Sequence, residues 1–293
     1  MQKVWQTIES PFLAETDGSF RLADRACEVE SPLSRKQARK QLDKSVDEIA
    51  QLQRKLYAQN KFSLLLVFQA MDAAGKDSTI RAVLSGVNPA GCHVTSYKKP
   101  NSHELDHDFL WRTTRNLPER GRIGVFNRSQ YEEVLVVRVH PEILKHQQLP
   151  YPVDHETIWQ ERLQSITDQE KHLARNGTVI LKFFLNVSRD EQRRRFIDRL
   201  EEPHKRWKFE ANDVRERGFW DQYMHAYQEA IAASSKPWAP WFVIPADDKP
   251  NMRLAVSDIV ERTLESLNLR FPVTGAADQE IHDQLYAELK AGD

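Results

Sequence analysis

The sequence predicts an α/β protein whose parallel sheet is covered by helices on both faces. Three observations carry that prediction. The segments FSLLLVF, IGVF, VILKFFLNV and WFVIPA are almost wholly apolar, helical patterns separate them, and a small-residue loop ending in Gly75-Lys76 follows the first segment directly. Strands buried on both faces show continuous apolar runs instead of alternation, and their crossovers are helices. In such sheets ligands sit at the carboxyl ends of the strands.

Composition bounds the function. With 293 residues, 40% of them apolar, the chain can bury a sizeable core. Its 42 Lys and Arg against 43 Asp and Glu leave a net charge of −1, which argues against nonspecific coating of nucleic acid. Any polyanion site is therefore local. The longest unbroken apolar stretch, residues 64–68, falls far short of the roughly 20 residues a bilayer span needs. The first residues lack a secretory pattern, and the two cysteines, Cys27 and Cys92, are too few for a disulfide framework, so the expected location is the cytoplasm.

Along the chain, residues 1–30 show no sustained period and form an expected irregular arm. From 34 to 60, Ala38, Leu42, Val46, Ile49, Leu52 and Leu56 recur every three or four residues, predicting a long amphipathic helix that packs on the core or on a second subunit. After the loop, Ile80, Val83, Leu84 and Val87 continue a helical stripe up to NPAG, and CHVTSY reads as a short strand that completes a βαβ unit. A helix over about 102–116, the turn PERGR and the core strand IGVFN follow. A long helical pattern ends at Asn176-Gly177, before the strand at 178–187. Ser188 and Glu191 then have capping-box spacing and predict a further helix. NDVRERGFWDQYMHAYQEAIAASS reads as one helix with an aromatic stripe of Phe219, Trp220, Tyr223 and Tyr227 packed in the core, and WFVIPA at 241–246 is the last strand. The expected organisation is one domain over 31–270 with a lid at about 188–215, preceded by the arm and followed by a tail at 271–293.

The loop AMDAAGKDSTI has the spacing of a phosphate-binding loop from Ala70 to Lys76, with Ala70 in place of the first Gly and Asp77 in place of Ser or Thr. The backbone N–H groups of Ala73, Ala74, Gly75 and Asp77 would surround an anion at the helix N-terminus, and Lys76 would supply mobile positive charge. Asp72 is the candidate ligand for Mg²⁺, with Mn²⁺ as a substitute. Asn127 stands at the strand end where a metal-orienting carboxylate is expected, and Arg128 beside it suits a phosphate. Arg193, Arg194, Arg195 and Arg199 follow Ser188 within a few turns, and Arg195 and Arg199 share a helix face. That is the requirement for an arginine lid closing on a phosphoryl group, with Lys205, Arg206 and Lys208 continuing the basic track. The ten histidines have no HExxH or similar spacing and there is no G-x-S-x-G, so zinc and serine-nucleophile chemistry are not expected.

Taken in order, AMDAAGKDSTI, FNRSQYEEVLVVRVH and QRRRFIDRLEEPHKRWKF resemble the polyphosphate kinase 2 family over roughly residues 30–270. The resemblance implies a three-layer α/β/α phosphate-loop core similar to thymidylate kinase, with a helical lid. It also implies Mg²⁺-dependent transfer of phosphate between inorganic polyphosphate and a nucleotide. By the same resemblance Asp72 would bind the metal, Lys76 the phosphate being transferred and Arg128 the phosphates opposite, while Arg199 would be the lid arginine. Asn127 in place of the common Asp is similar to the class III branch, which accepts AMP as well as ADP, and in that branch Glu133 would lie near the nucleotide. Two other readings share the core: an ATP-dependent nucleoside monophosphate kinase and a noncatalytic nucleotide sensor. The long helix near the N-terminus makes a homo-oligomer the expected assembly.

Overall fold

Five strands build one parallel sheet in the order β2-β3-β1-β4-β5: β1 Ser63–Gln69, β2 Cys92–Ser96, β3 Ile123–Asn127, β4 Thr178–Asn186 and β5 Trp241–Pro245. The structure, a computed structural model, describes residues 4–30, 32–209, 211–273 and 275–292. Within these ranges the side chains at 205, 208 and 276–278 are outside the described set, and the expected roles of Lys205 and Lys208 fall there. β1, β3 and β5 are buried at every position, and β4 at all but its first. Edge strand β2 is half exposed, which is why it reads as a weaker apolar run. Phe68, Phe183 and Phe242 stack across β1, β4 and β5 with centroids 5.0 and 5.8 Å apart. Each such ring contributes about 1.5–3 kcal/mol by leaving water.

The expected βαβ unit is not formed by neighbours, because β3 inserts between β1 and β2. This insertion positions the site: Phe68 pairs with Asn127, so the loop after β1 and the residues after β3 leave the sheet side by side.

Helix α1, Arg35–Gln59, begins at a complete Ser34/Gln37 capping box and ends at Asn60 in the left-handed region. α2, Lys76–Val83, stops earlier than its stripe predicted. Beyond it Gly86 passes α1 so closely that a Cβ would lie 2.9 Å from Val46 Cγ1. The helix expected over 102–116 is two single turns, Ser102–Leu105 and Trp111–Thr114. Asp108 takes the Leu110 N–H between them at 2.9 Å, a side-chain bond that competes with the helical ladder.

α3, Ile158–Arg175, precedes β4 as expected. α4, Arg189–Glu201, is capped by Ser188 Oγ accepting from Glu191 N at 3.1 Å. Only half the expected box forms: Ser188 N donates to Asp247 Oδ1 (2.8 Å), and the Glu191 carboxylate pairs with Arg194 and Arg195. The single helix expected after residue 210 is three pieces: α5 Ala211–Glu216, a 3₁₀ turn Arg217–Phe219 and α6 Trp220–Ser234. α7, Lys249–Ser266, lies along α1, so the long N-terminal helix packs on its own core. The tail forms α8, Ala276–Ala291. Among the described residues no helix is long and apolar enough to cross a membrane.

The arm has a role that its lack of period concealed. Ala14 N donates to Trp241 O (2.9 Å), and Phe12 O accepts from Val243 N (2.8 Å). The arm thereby covers the free edge of β5, which would otherwise offer unpaired backbone groups to another strand.

Candidate active site

The loop between β1 and α2 is bent by Ala73 (φ 61°) and Gly75 (φ 110°), both in the left-handed region. Gly75 suits that conformation; Ala73 bears a strain of order 1 kcal/mol, as residues at ligand-binding loops often do. Lys76 is 9% exposed and folds back over the loop, donating to Ala70 O at 2.8 Å and Met71 O at 3.4 Å. Burial, followed by the nearby Arg128 guanidinium, lowers its pKa to about 8.

α4 is fastened to the outside of this loop. Arg195, 3% exposed, donates to Ala73 O (3.2 Å), Ala74 O (2.7 Å), Ala246 O (2.5 Å), Asp247 O (3.1 Å) and Glu191 Oε1 (2.6 Å). Five N–H groups meet five acceptors, so the guanidinium is fully engaged by the protein. The expected clamp face of Arg195 and Arg199 is therefore divided: Arg195 supports the loop, whereas Arg199 pairs with Asp213 Oδ2 at 3.4 Å and joins α4 to α5. Gln192 adds a bond to Asp72 O (3.0 Å). Arg206 donates to Leu200 O (2.7 Å). Arg195→Met is expected to destabilise the protein by about 3 kcal/mol, because it leaves the Glu191 carboxylate and four carbonyls short of a donor. Denaturant unfolding measures this, and an unchanged midpoint would contradict it.

At the end of β3, Arg128 adopts φ 65° while its N–H holds Phe68 O at 3.0 Å. Its guanidinium donates to Asp72 Oδ1 at 2.9 Å. Glu132 raises the Arg128 pKa most, with a further contribution from Asp72, against desolvation. Glu132 is the carboxylate that sequence reasoning missed. It is partly buried near Lys76, Arg128 and Asp72, and burial raises its pKa. Glu133, expected near the nucleotide, lines the same cavity, and its carboxylate accepts from Arg162 Nη1 and Gln147 Nε2, both at 2.7 Å, in an ion pair with Arg162. Asn127 Nδ2 donates to Asp77 Oδ1 at 2.7 Å, which ties the strand end that lacks the expected carboxylate to the loop position that lacks the usual Ser or Thr.

A cavity of about 930 Å³ opens between the loop, the end of β3 and the α5–α6 region. Asp72, Arg128 and Glu132 line one wall, and Lys98, Lys99, Arg112 and Arg217 add basic side chains from other segments. Tyr223 and Tyr227, expected as core, are buried and also form part of its surface. Phe109, Val136 and Ile143 give it an apolar part. Lys98-Lys99-Pro100 directly after a strand was the available sequence signal. Arg112 and Arg217 had none, since only the fold brings them here.

Among the described residues no group of three or more His, Cys, Asp or Glu side chains gathers into a metal cage. Mg²⁺ commonly takes one or two carboxylates and completes its shell with water and substrate phosphates. Asp72, partly exposed on the cavity wall, fits that arrangement.

The polyphosphate kinase 2 family model matches residues 32–272. The chain is 54% identical over 245 residues to an ADP-polyphosphate phosphotransferase of Rhodopseudomonas palustris, covering 83% of this chain and 85% of that one. It is 46% identical over 233 residues to an AMP/ADP-polyphosphate phosphotransferase of Meiothermus ruber, covering 80% and 83%. The crystal structure of polyphosphate kinase 2 from Arthrobacter aurescens superposes with a TM-score of 0.82 at 34% identity, over 95% of this chain and 99% of that one. The loop, the β3 end and the basic cavity all lie inside the matched region, and the chain belongs to the polyphosphate kinase 2 family.

Proposed function

We propose that this enzyme moves a phosphoryl group between inorganic polyphosphate and a nucleoside mono- or diphosphate, with AMP and ADP as the first acceptors to consider and GMP and GDP as further ones. The observation that carries this reading is a single cavity in which Arg128, Lys98, Lys99, Arg112 and Arg217 converge beside the phosphate loop. Two polyanions must meet there in line, and the barrier is largely their mutual repulsion. Lys76 and Arg128 neutralise the group in transfer, and the basic residues from the other segments hold the second chain of phosphates. Asp72 orients the Arg128 guanidinium through their 2.9 Å ion pair, and Glu132 adds negative charge beside it. The attacking phosphate oxygen is already ionised, so no general base is needed. Mg²⁺, or Mn²⁺ in its place, would be held by Asp72 and would help neutralise the negative charge of the phosphates.

Rates with polyphosphate plus ADP against ATP plus AMP test the reading; strong preference for the ATP-donor pair would favour a nucleoside monophosphate kinase. Binding of both ligands without turnover would favour a nucleotide sensor.

The low Lys76 pKa gives a pH prediction. In the ligand-free fold the ammonium is disfavoured, so this group depresses stability below pH 8, and the penalty is relieved as pH rises from about 8 to the ordinary lysine value of 10.5. A bound phosphate reverses the preference. Polyphosphate binding is therefore expected to weaken above pH 8 with uptake of a proton, measurable by calorimetry in buffers of different ionisation enthalpy. No proton uptake near pH 8.5 would contradict it.

The reading also includes a cytoplasmic homo-oligomer. Both cysteines are free, and Ile281, Leu285 and Leu289 present apolar surface along α8.

A further inference from the structure

Lys182 stands in the middle of β4 with none of its surface exposed, and the transfer reaction does not use it. Its ammonium donates to Glu170 Oε2 (2.5 Å), the Tyr131 hydroxyl (2.9 Å) and Ser234 O (2.8 Å). Tyr131 donates in turn to Glu170 Oε1 at 2.9 Å, so three donors and the hydroxyl are all satisfied without water. Trp241 closes the cluster: its ring meets Tyr131 edge to face at 4.9 Å, and its Nε1 donates to Ser234 Oγ at 2.9 Å.

A buried ion pair of this kind is at best neutral in stability against well-packed apolar side chains, because desolvating both charges offsets their attraction. What it provides is fixed geometry. Tyr131 is the second residue of the 3₁₀ turn Gln130–Val134, and the next residue is Glu132. So short a turn has few internal hydrogen bonds to set its rotation, and each residue advances the side-chain direction by about 120°. Fixing the buried end of Tyr131 therefore restrains the rotation of the turn and, with it, the direction of Glu132. Ser234, the acceptor of the third Lys182 proton, ends α6, which carries Tyr223 and Tyr227 into the same cavity. Lys182 thus ties two cavity walls to the central sheet.

We propose that Lys182, Glu170 and Tyr131 form a positioning triad that sets Glu132 into the cavity wall it shares with Arg128 and Asp72 for phosphoryl transfer. The proposal rests on the reading of Glu132 given above. None of the three touches substrate; their effect passes through Glu132, and a double-mutant cycle separates such coupling from a loss of stability.

The experiment measures kcat and KM with polyphosphate and ADP for Tyr131→Phe, Glu132→Gln and the two combined, with thermal midpoints. Expected are losses in kcat of about tenfold for each single variant, and a combined variant within twofold of Glu132→Gln alone. Losses that multiply, giving about a hundredfold in the combined variant, would show that Tyr131 acts independently and overturn the proposal. A Glu132→Gln enzyme with parental rate removes the site reading itself, and the triad then has nothing to aim. Should Tyr131→Phe fail to fold, Lys182→Met with Glu170→Leu removes both charges together. That protein leaves the buried Tyr131 hydroxyl without its carboxylate acceptor, so a modest fall in midpoint with the fold retained is expected, together with a loss of about tenfold in kcat; a parental kcat would overturn the proposal.

Discussion

Lys76→Ala is expected to reduce phosphoryl transfer by roughly two to three orders of magnitude while leaving the melting midpoint unchanged or higher. The first half follows from position. Lys76 begins α2 at the mouth of the phosphate loop, and a charge that strengthens its contact with the transferring group is the kind whose removal costs about 3–4 kcal/mol of transition-state stabilisation. The second half follows from burial: in the ligand-free fold the ammonium rests on two carbonyls in surroundings that lower its pKa to about 8, so its loss relieves a desolvation penalty. Steady-state kinetics beside a thermal melt checks both. A folded Lys76→Ala protein with near-parental turnover would remove the loop from the chemistry, and a collapsed midpoint would make the lysine structural.

Asp72→Asn is expected to lower the rate by about a hundredfold or more and to raise the Mg²⁺ concentration for half-maximal rate by at least tenfold. Two effects combine. The substitution removes the carboxylate proposed to hold the metal, and it removes the charge that pairs with Arg128 at 2.9 Å. Asn127 cannot compensate, since it is neutral and its amide donates to Asp77. Asn127→Asp should be tolerated far better, although it places a carboxylate against Asp77. Titration of rate against Mg²⁺ for the three proteins decides this. An Asp72→Asn enzyme whose Mg²⁺ dependence matches the parent would reduce Asp72 to a partner of Arg128.

The core was legible in the sequence for a physical reason. Strands covered on both faces must be apolar throughout, so β1, β3, β4 and β5 were marked by composition, and the loop after β1 by its small residues. What escaped depended on direction. Glu132 and Glu133 are neighbours in a 3₁₀ turn, where one position changes the direction by a third of a circle, and sequence gives no rotation about that axis. Arg195 and Arg199 do share a helix face, yet that face descends from the loop to α5, so one arginine is buried against carbonyls and the other meets Asp213. Helix breaks at 106–110 and 217–219 escaped because local side-chain bonds and a glycine interrupt patterns whose apolar spacing continues.

The most direct test of the account is transfer of label from ³²P-polyphosphate to ADP and to AMP by the purified protein with Mg²⁺, beside Lys76→Ala under the same conditions. Labelled ATP and ADP from the parent, and neither from the variant, is the result expected of a polyphosphate-dependent phosphoryl transfer at the loop. No labelled nucleotide from the parent, in a preparation that transfers phosphate readily from ATP to AMP, would contradict it.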